Sequence, residues 1–312
     1  MILLLICWIL AISAVRGESM PAAKEPSRKV IAGLTFATAG DHPLKLDLHL
    51  PQDHDTASSV PKERSPLIIW VHGGAWRMGS RSDVPVLALT GFGFAIASVD
   101  YRLSTEARFP AQIHDIHAAI RFMRSHAADY GIDESRIVIA GASAGGHLAA
   151  LTGLSSSIPE LLGDAGARNR TSSDVRAIVS FFGASNLNSI LSQSTEHGLS
   201  VRVPALQLFL GGQPNELPDL ARLASPVTHV SRMSPPILMI HGNRDPQMPF
   251  EQSVELLKAY RDAGVSAELT TIDGGVHGGP EFFNDEQLRH VSAFLHGHLD
   301  LPPAEVSAPE KP

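Results

Sequence analysis

A glycine-flanked serine, a glycine-flanked histidine and an aspartate between them in the chain carry the chemistry this sequence can do. Gly141, Ser143 and Gly145 spell G-x-S-x-G inside IVIAGASAGGHLAA, Ile137 to Ala150. A serine hydroxyl is a weak nucleophile at its own pKa; it needs a base within hydrogen-bond reach, and the base needs a third group to orient it. His277 sits in Gly274-Gly275-Val276-His277-Gly278-Gly279, where the glycines permit a tight loop that reaches back toward a distant serine. Two aspartates compete for the third position. Asp245 follows an apolar run through His241-Gly242-Asn243-Arg244, whereas Asp273 precedes His277 in the same short loop. A carboxylate on a neighbouring strand end approaches the far imidazole nitrogen more easily, so Asp245 is preferred over Asp273. The chemistry of such a set is attack of a hydroxyl on a carbonyl carbon, with the acyl group passing to serine.

An attack of this kind needs donors for the oxyanion it creates. His72-Gly73-Gly74 directly follows the apolar run Leu67 to Val71. The amides of Gly73 and Gly74 are candidates, and Ala144, the residue after the serine, supplies a third. His72 reads as a hydrogen-bonded positioner of that loop. Trp76, Tyr101 and Phe182 stand at strand ends as candidates for the acyl or alcohol pocket, and His147, one helical turn beyond Ser143, is expected to pack under the turn. The 15 histidines include no H-E-x-x-H pair, and the chain has a single cysteine and no phosphate-cradling glycine loop; neither metal nor cofactor is expected.

These residues must be held by a sheet. Val30 to Thr38 and the alternating LKLDLHL, Leu44 to Leu50, read as a hairpin turned at Gly40-Asp41. Leu67 to Val71, Phe94 to Val99, Arg136 to Ala140, Val175 to Phe182, Ile237 to Ile240 and Ala267 to Ile272 read as further strands. Helical spacing covers Ile113 to Ala128, Ala144 to Leu154, Glu251 to Ala263 and Glu281 to Leu299. The alternation predicts an α/β fold with a mostly parallel sheet of about eight strands, covered on both faces. Ligands of such sheets bind beyond the carboxyl ends of the strands, where every polar cluster above falls. Proline and glycine break up the pattern from 184 to 234, which reads as a small cap insertion.

With 44% hydrophobic and 18% charged residues and a net charge of −7 in mixed signs, the chain is an ordinary globular protein without a basic stripe for nucleic acid. The expected partner is a small molecule. Residues 1–17 read as a signal peptide, too short to span a bilayer comfortably; export is then expected, and a cytoplasmic location if Met20 is the start. Residues 18–29 read as a linker, 30–299 as one catalytic domain and 300–312 as a disordered tail. Asn169-Arg170-Thr171 is a chance sequon.

HGGAW at 72–76, DYRL at 100–103, YGID at 130–133, GASAGG at 141–146, SPPILMIHGNRDPQMPF at 234–250 and GGVHGG at 274–279 stand in an order that resembles α/β-hydrolase esterases. The nearest branch is the acetylxylan/feruloyl esterase-like and hormone-sensitive-lipase-like one, and the likeness runs from about Val30 to His298. It implies Ser143 as nucleophile, Asp245 as acid, His277 as base and Gly73, Gly74 and Ala144 as oxyanion donors. Ala75 replaces a third glycine, and Met248 a frequent valine. The function implied is a serine carboxylesterase acting on short-chain or carbohydrate-linked acetyl or feruloyl esters. The alternatives are a formamidase- or peptidase-like amide hydrolase and a catalytically silent binding protein of the same fold.

Overall fold

The computed structural model describes residues 29–51, 64–164 and 171–301. The expected signal peptide, nearly all of the linker, Asn169 and Arg170 of the sequon, and the tail from 302 lie outside them. Period-two patterning produces the first two strands, β1 (Lys29–Ala39) and β2 (His42–Leu50), an antiparallel hairpin turned at Gly40 and Asp41. Leu44, Leu46, Leu48 and Leu50 fall on one face of β2 and are buried. The apolar runs produce β3 (Ser65–Val71), β4 (Ala95–Val99), β5 (Ile132–Ala142), β6 (Ile178–Phe181), β7 (Ile237–Gly242) and β8 (Ala267–Ile272). The sheet order is β1-β2-β4-β3-β5-β6-β7-β8. β2 runs antiparallel to β1 and β4, and every other pairing is parallel. This is the α/β-hydrolase fold.

Eight helices accompany the strands among the described residues: α1 (Ala111–Ser125), α2 (Ala144–Leu154), the single turns α3 (Pro159–Leu162) and α4 (Ile190–Gln193), α5 (Glu196–Leu210), α6 (Pro218–Leu223), α7 (Glu251–Ala263) and α8 (Asp285–His298). The alternation of side chains along β3 divides the core in two. Leu67, Ile69 and Val71 join the cluster containing Ile113 and Ile116 of α1 and Leu148 and Leu151 of α2. Ile68 and Trp70 join Leu288, Val291 and Leu295 of α8 on the other face. No described helix is long and apolar enough to cross a membrane.

Several boundaries differ from those expected. α1 stops at Ser125 and a separate 3-10 turn, Ala127–Tyr130, follows. α8 begins at Asp285 because the Asn284 side chain accepts the amide of Gln287 and caps the helix there. β6 opens three residues later than the apolar run, at Ile178, and ends one residue earlier, where Phe182 turns out of the sheet at φ 40°. Between β6 and β7, α5 continues for 15 residues through Pro204, a helix that the proline-broken pattern of the cap region conceals.

The central register sets up the site. Gly141 of β5 pairs with Val71 of β3 and Ser180 of β6, so the chain after Ala142 emerges between two neighbouring strand ends. Ser143 turns there at φ 56°, ψ −119°, in a region few non-glycine residues occupy, and its N–H is tied to Phe181 O at 2.9 Å. Gly145 makes the turn possible: a Cβ on it would collide with the carbonyl oxygens of Val71 and His72. Alanine ordinarily favours a helix over glycine by about 1 kcal/mol, but here Gly145→Ala must displace backbone. It is expected to lose about 1–3 kcal/mol by overpacking, read as a lowered urea-unfolding midpoint; a midpoint at or above the wild type would refute this packing account.

Candidate active site

Each of the three side chains stands where a strand of the parallel sheet gives way to a loop. Ser143 follows β5, Asp245 follows β7 and His277 follows β8. The Ser143 hydroxyl donates to His277 Nε2 at 2.8 Å, and His277 Nδ1 donates to Asp245 Oδ2 at 2.7 Å. Because a carboxylate only accepts, the proton on the imidazole sits at Nδ1, leaving Nε2 free to take the proton of serine. Phe182 meets the His277 ring edge to face, with centroids 4.9 Å apart.

The Asp245 side chain is fully shielded from solvent. Its Oδ1 accepts the amides of Gln247 at 2.8 Å and Met248 at 2.7 Å. Burial alone pushes this carboxyl up, yet hydrogen bonds from His241 and His277, joined by the Met248 amide, outweigh it and hold the group well below the usual carboxylate range. Asp273 has no part in this. It accepts from Asn243 Nδ2 at 2.9 Å, while Asn243 Oδ1 accepts the amide of Gly274 at 2.8 Å, so this pair stitches the acid loop to the histidine loop.

The loop after β3 runs against the serine turn, where a Cβ on Gly73 would touch Ser143 Cβ and press on Ala142 O. Gly74 holds the loop's bend at φ 107°, and its carbonyl takes the amides of Arg77 and Met78. Ala144 opens α2, so its N–H has no acceptor within the helix. The structure thus sets Gly73 against the serine turn, with Gly74 next in the loop and Ala144 directly after the serine. His72 is buried, with Nδ1 donating to Gly73 O at 2.8 Å; burial lowers its pKa, against the pull of that hydrogen bond.

Two of the three proposed pocket residues need correction. Tyr101 is only 3% exposed; its ring stacks on His72 at 4.4 Å and its hydroxyl donates to His72 O at 3.2 Å, so it braces the loop from behind. Trp76 is 1% exposed, stacked on Phe209 of α5 at 4.8 Å, with its indole N–H donating to His147 Nδ1 at 3.0 Å. Both are packing residues because each has a polar tip that finds its partner inside the protein. Phe182 alone adjoins the histidine. His147 in turn donates from Nε2 to Ala224 O at 2.7 Å, so it joins α2 to the cap as well as to the loop.

The sequence reading passes over His241 and Arg202. His241, 0% exposed, ends the run ILMIH of β7, and a histidine inside a buried parallel strand is itself a signal, since both ring nitrogens then require partners. Arg202 of α5 is also buried and donates from Nη2 to Gln247 O. Burial draws its pKa down to about 10, opposed by the charge of Asp245.

Residues 46–260 match the BD-FAE family model. Esterase LipQ of Mycobacterium tuberculosis is 34% identical over 211 residues, covering 66% of this chain and 48% of that protein. The chain spans about half the length of the first curated relatives it matches. Among solved structures, a truncated form of a carbohydrate esterase from gut microbiota is similar at a TM-score of 0.77 and 31% identity, covering 89% of this chain and 99% of that one. A thermophilic esterase of Thermogutta terrifontis, Est2, is similar at 0.71 and 26%, covering 90% and 95%.

His147 gives this site a pH signature in stability. Burial pulls its pKa from 6.5 to about 4, against the Ala224 hydrogen bond. Between those values the unfolded chain takes up a proton that the folded imidazole refuses, so this contribution is fully present above pH 6.5 and is lost as pH falls. From pH 7 to pH 5 the wild type is expected to lose about 2 kcal/mol more than His147→Gln, whose carboxamide can serve both partners without titrating. Chemical denaturation at the two pH values checks this; equal losses would reject it.

Proposed function

The chain belongs to the BD-FAE family of α/β-hydrolases, and we propose that it is a serine carboxylic ester hydrolase working through an acyl-enzyme on Ser143. One observation carries the reading: the continuous hydrogen-bonded line from Ser143 Oγ through His277 to Asp245 at the strand ends. Ser143 Oγ attacks the ester carbonyl carbon as its proton passes to His277 Nε2. The imidazolium is stabilised by Asp245, which remains a carboxylate and fixes the ring's orientation. The charge on the carbonyl oxygen is met by the amides of Gly73, Gly74 and Ala144, each of the kind whose loss costs about 10²–10³ in rate. His277 returns the proton to the leaving alcohol. Water, activated by the same nitrogen, then attacks the acyl carbon, and the acid departs with Ser143 restored.

The substrate class we propose is short acyl groups on a carbohydrate alcohol, acetyl or feruloyl. Its support is the likeness to a protein described as a carbohydrate esterase over nearly the whole of that chain. Hydrolysis of p-nitrophenyl acetate, acetylated xylan, methyl ferulate and an N-formyl aromatic amine tests both levels of the proposal. Esters are expected to turn over faster than the amide, with kcat/KM falling about 10⁴-fold or more in Ser143→Ala and about 10⁴-fold in Asp245→Asn. Faster turnover of the amide would replace the ester reading, and retained ester activity in Ser143→Ala would end it.

A further inference from the structure

Asp245 has a second histidine on its far side. His241 Nε2 lies 3.1 Å from Met248 O and 3.4 Å from Asp245 Oδ2, while Nδ1 lies 2.8 Å from Ser253 Oγ at the start of α7. Nε2 has only acceptors before it, so it carries a proton in either charge state. The carbonyl of Met248 takes the shorter branch, and the carboxylate oxygen the longer, weaker one. The same Met248 gives its N–H to Asp245 Oδ1. One imidazole therefore holds the carbonyl of the residue whose N–H holds one carboxylate oxygen, and faces the other oxygen directly.

We propose that His241, fixed by Ser253, is a positioning residue for the acid: it sets the orientation of the Asp245 carboxylate and tempers the pull of Oδ2 on His277. The proposal rests on the hydrolase reading above and adds a residue pair to its machinery. The line of contacts then runs Ser253, His241, Asp245, His277, Ser143, with a hydroxyl and an imidazole on each side of one carboxylate. The chemical consequence follows from sharing an acceptor. A carboxylate oxygen facing two N–H groups offers less negative charge to each than one facing a single donor. Without His241, Oδ2 is more basic and stabilises the His277 imidazolium more strongly.

The titratable and charged groups facing the carboxylate are His277 from the loop after β8, His241 from β7 and Arg202 from α5, whose Nη2 rests on Gln247 O. The phenyl ring of Phe250 packs against His241, with centroids 5.5 Å apart. Arg202 is untouched by substitution at 241 or 253, so its attraction is common to every variant compared.

Three variants test this: His241→Leu, which removes the donor; His241→Gln, whose carboxamide N–H can reach the same acceptors; and Ser253→Ala, which frees Nδ1. In His241→Leu the acid limb of the kcat/KM profile on p-nitrophenyl acetate is expected to move up by about half to one pH unit. There kcat is expected to fall about 10- to 100-fold with KM within about twofold. His241→Gln is expected to restore both, and Ser253→Ala to lie between. The low-field proton resonance of His277 Nδ1–H, assigned by its loss in His277→Gln, is expected downfield of the wild type in His241→Leu. That resonance is read on the free protein, so inactivity of the wild type toward esters would fail the hydrolase reading without deciding this one. An active enzyme whose limb and resonance do not move in His241→Leu overturns the proposal, as does a His241→Gln variant impaired as much as the leucine one. Should the leucine variant not fold, the same limb and resonance in His241→Gln and Ser253→Ala decide: a wild-type result in both overturns the proposal, and a displaced limb in Ser253→Ala with a wild-type limb in His241→Gln supports it.

Discussion

A carboxylate whose side chain is closed off from water must be solvated by the protein, and much of this structure is arranged around that requirement at Asp245. An ionised carboxyl in a dry interior is costly unless its lone pairs are met. Two backbone amides meet Oδ1 and His277 meets Oδ2. The loop that presents these amides is itself gripped from outside: Thr195 Oγ1 donates to Pro246 O at 2.5 Å and Arg202 to Gln247 O. Peptides 246 and 247 thus receive donors at their carbonyls from the cap, while the amides of 247 and 248 donate to the acid. The cap is in this sense part of the solvation of the carboxylate.

The opposite half of the site depends on the cap in another way. Gly73 and Gly74 have no side chains with which to fix their own amides, so the loop is fixed by its neighbours. Tyr101 and His72 stack behind it, and Trp76 anchors its far end through His147. His147 belongs to α2, which starts at the Ser143 turn, and its other nitrogen reaches Ala224 of the cap. Trp76 also stacks on Phe209 of α5. The loop of Gly73 and Gly74, the serine turn and the cap therefore share one buried imidazole and one indole. An internal donor-to-acceptor chain of this kind specifies a single arrangement because breaking any member leaves a buried polar group unpaired.

Periodicity made most of the scaffold legible. LKLDLHL alternates as a half-buried strand does, and LIIWV is the short uninterrupted run of a strand covered on both faces, so the hairpin and the central strands follow from patterning together with run length and the flanking turn residues. Ser143 was legible because G-x-S-x-G between a strand and a helix needs glycine on each side for steric reasons visible at Gly145. The roles of Trp76 and Tyr101 were not legible. An aromatic at a strand end has the same local pattern whether it faces a ligand or a buried partner, and the partners, His147 and His72, lie 71 and 29 residues away from Trp76 and Tyr101. α5 was hidden because Pro204 is read locally as a breaker, whereas the packing of Ala205, Leu206, Phe209 and Leu210 retains the helix.

His241 marks the boundary between what a pattern can and cannot disclose. Within ILMIHG it reads as one polar residue in a strand, and nothing in the run says which atoms it must satisfy. β7 is buried along its whole length, so the imidazole has no access to water and its nitrogens must be matched by whatever the next turn of chain supplies. That turn supplies Asp245, Met248 O and Ser253 Oγ within 12 residues. Sequence proximity here is a geometric necessity: a strand end, a tight loop and the first turn of α7 fold back on one another, so a buried imidazole at the end of the strand meets the acid that the loop displays. The same closeness that satisfies the histidine orients the carboxylate, and a core residue of the sheet becomes continuous with the chemistry at its rim.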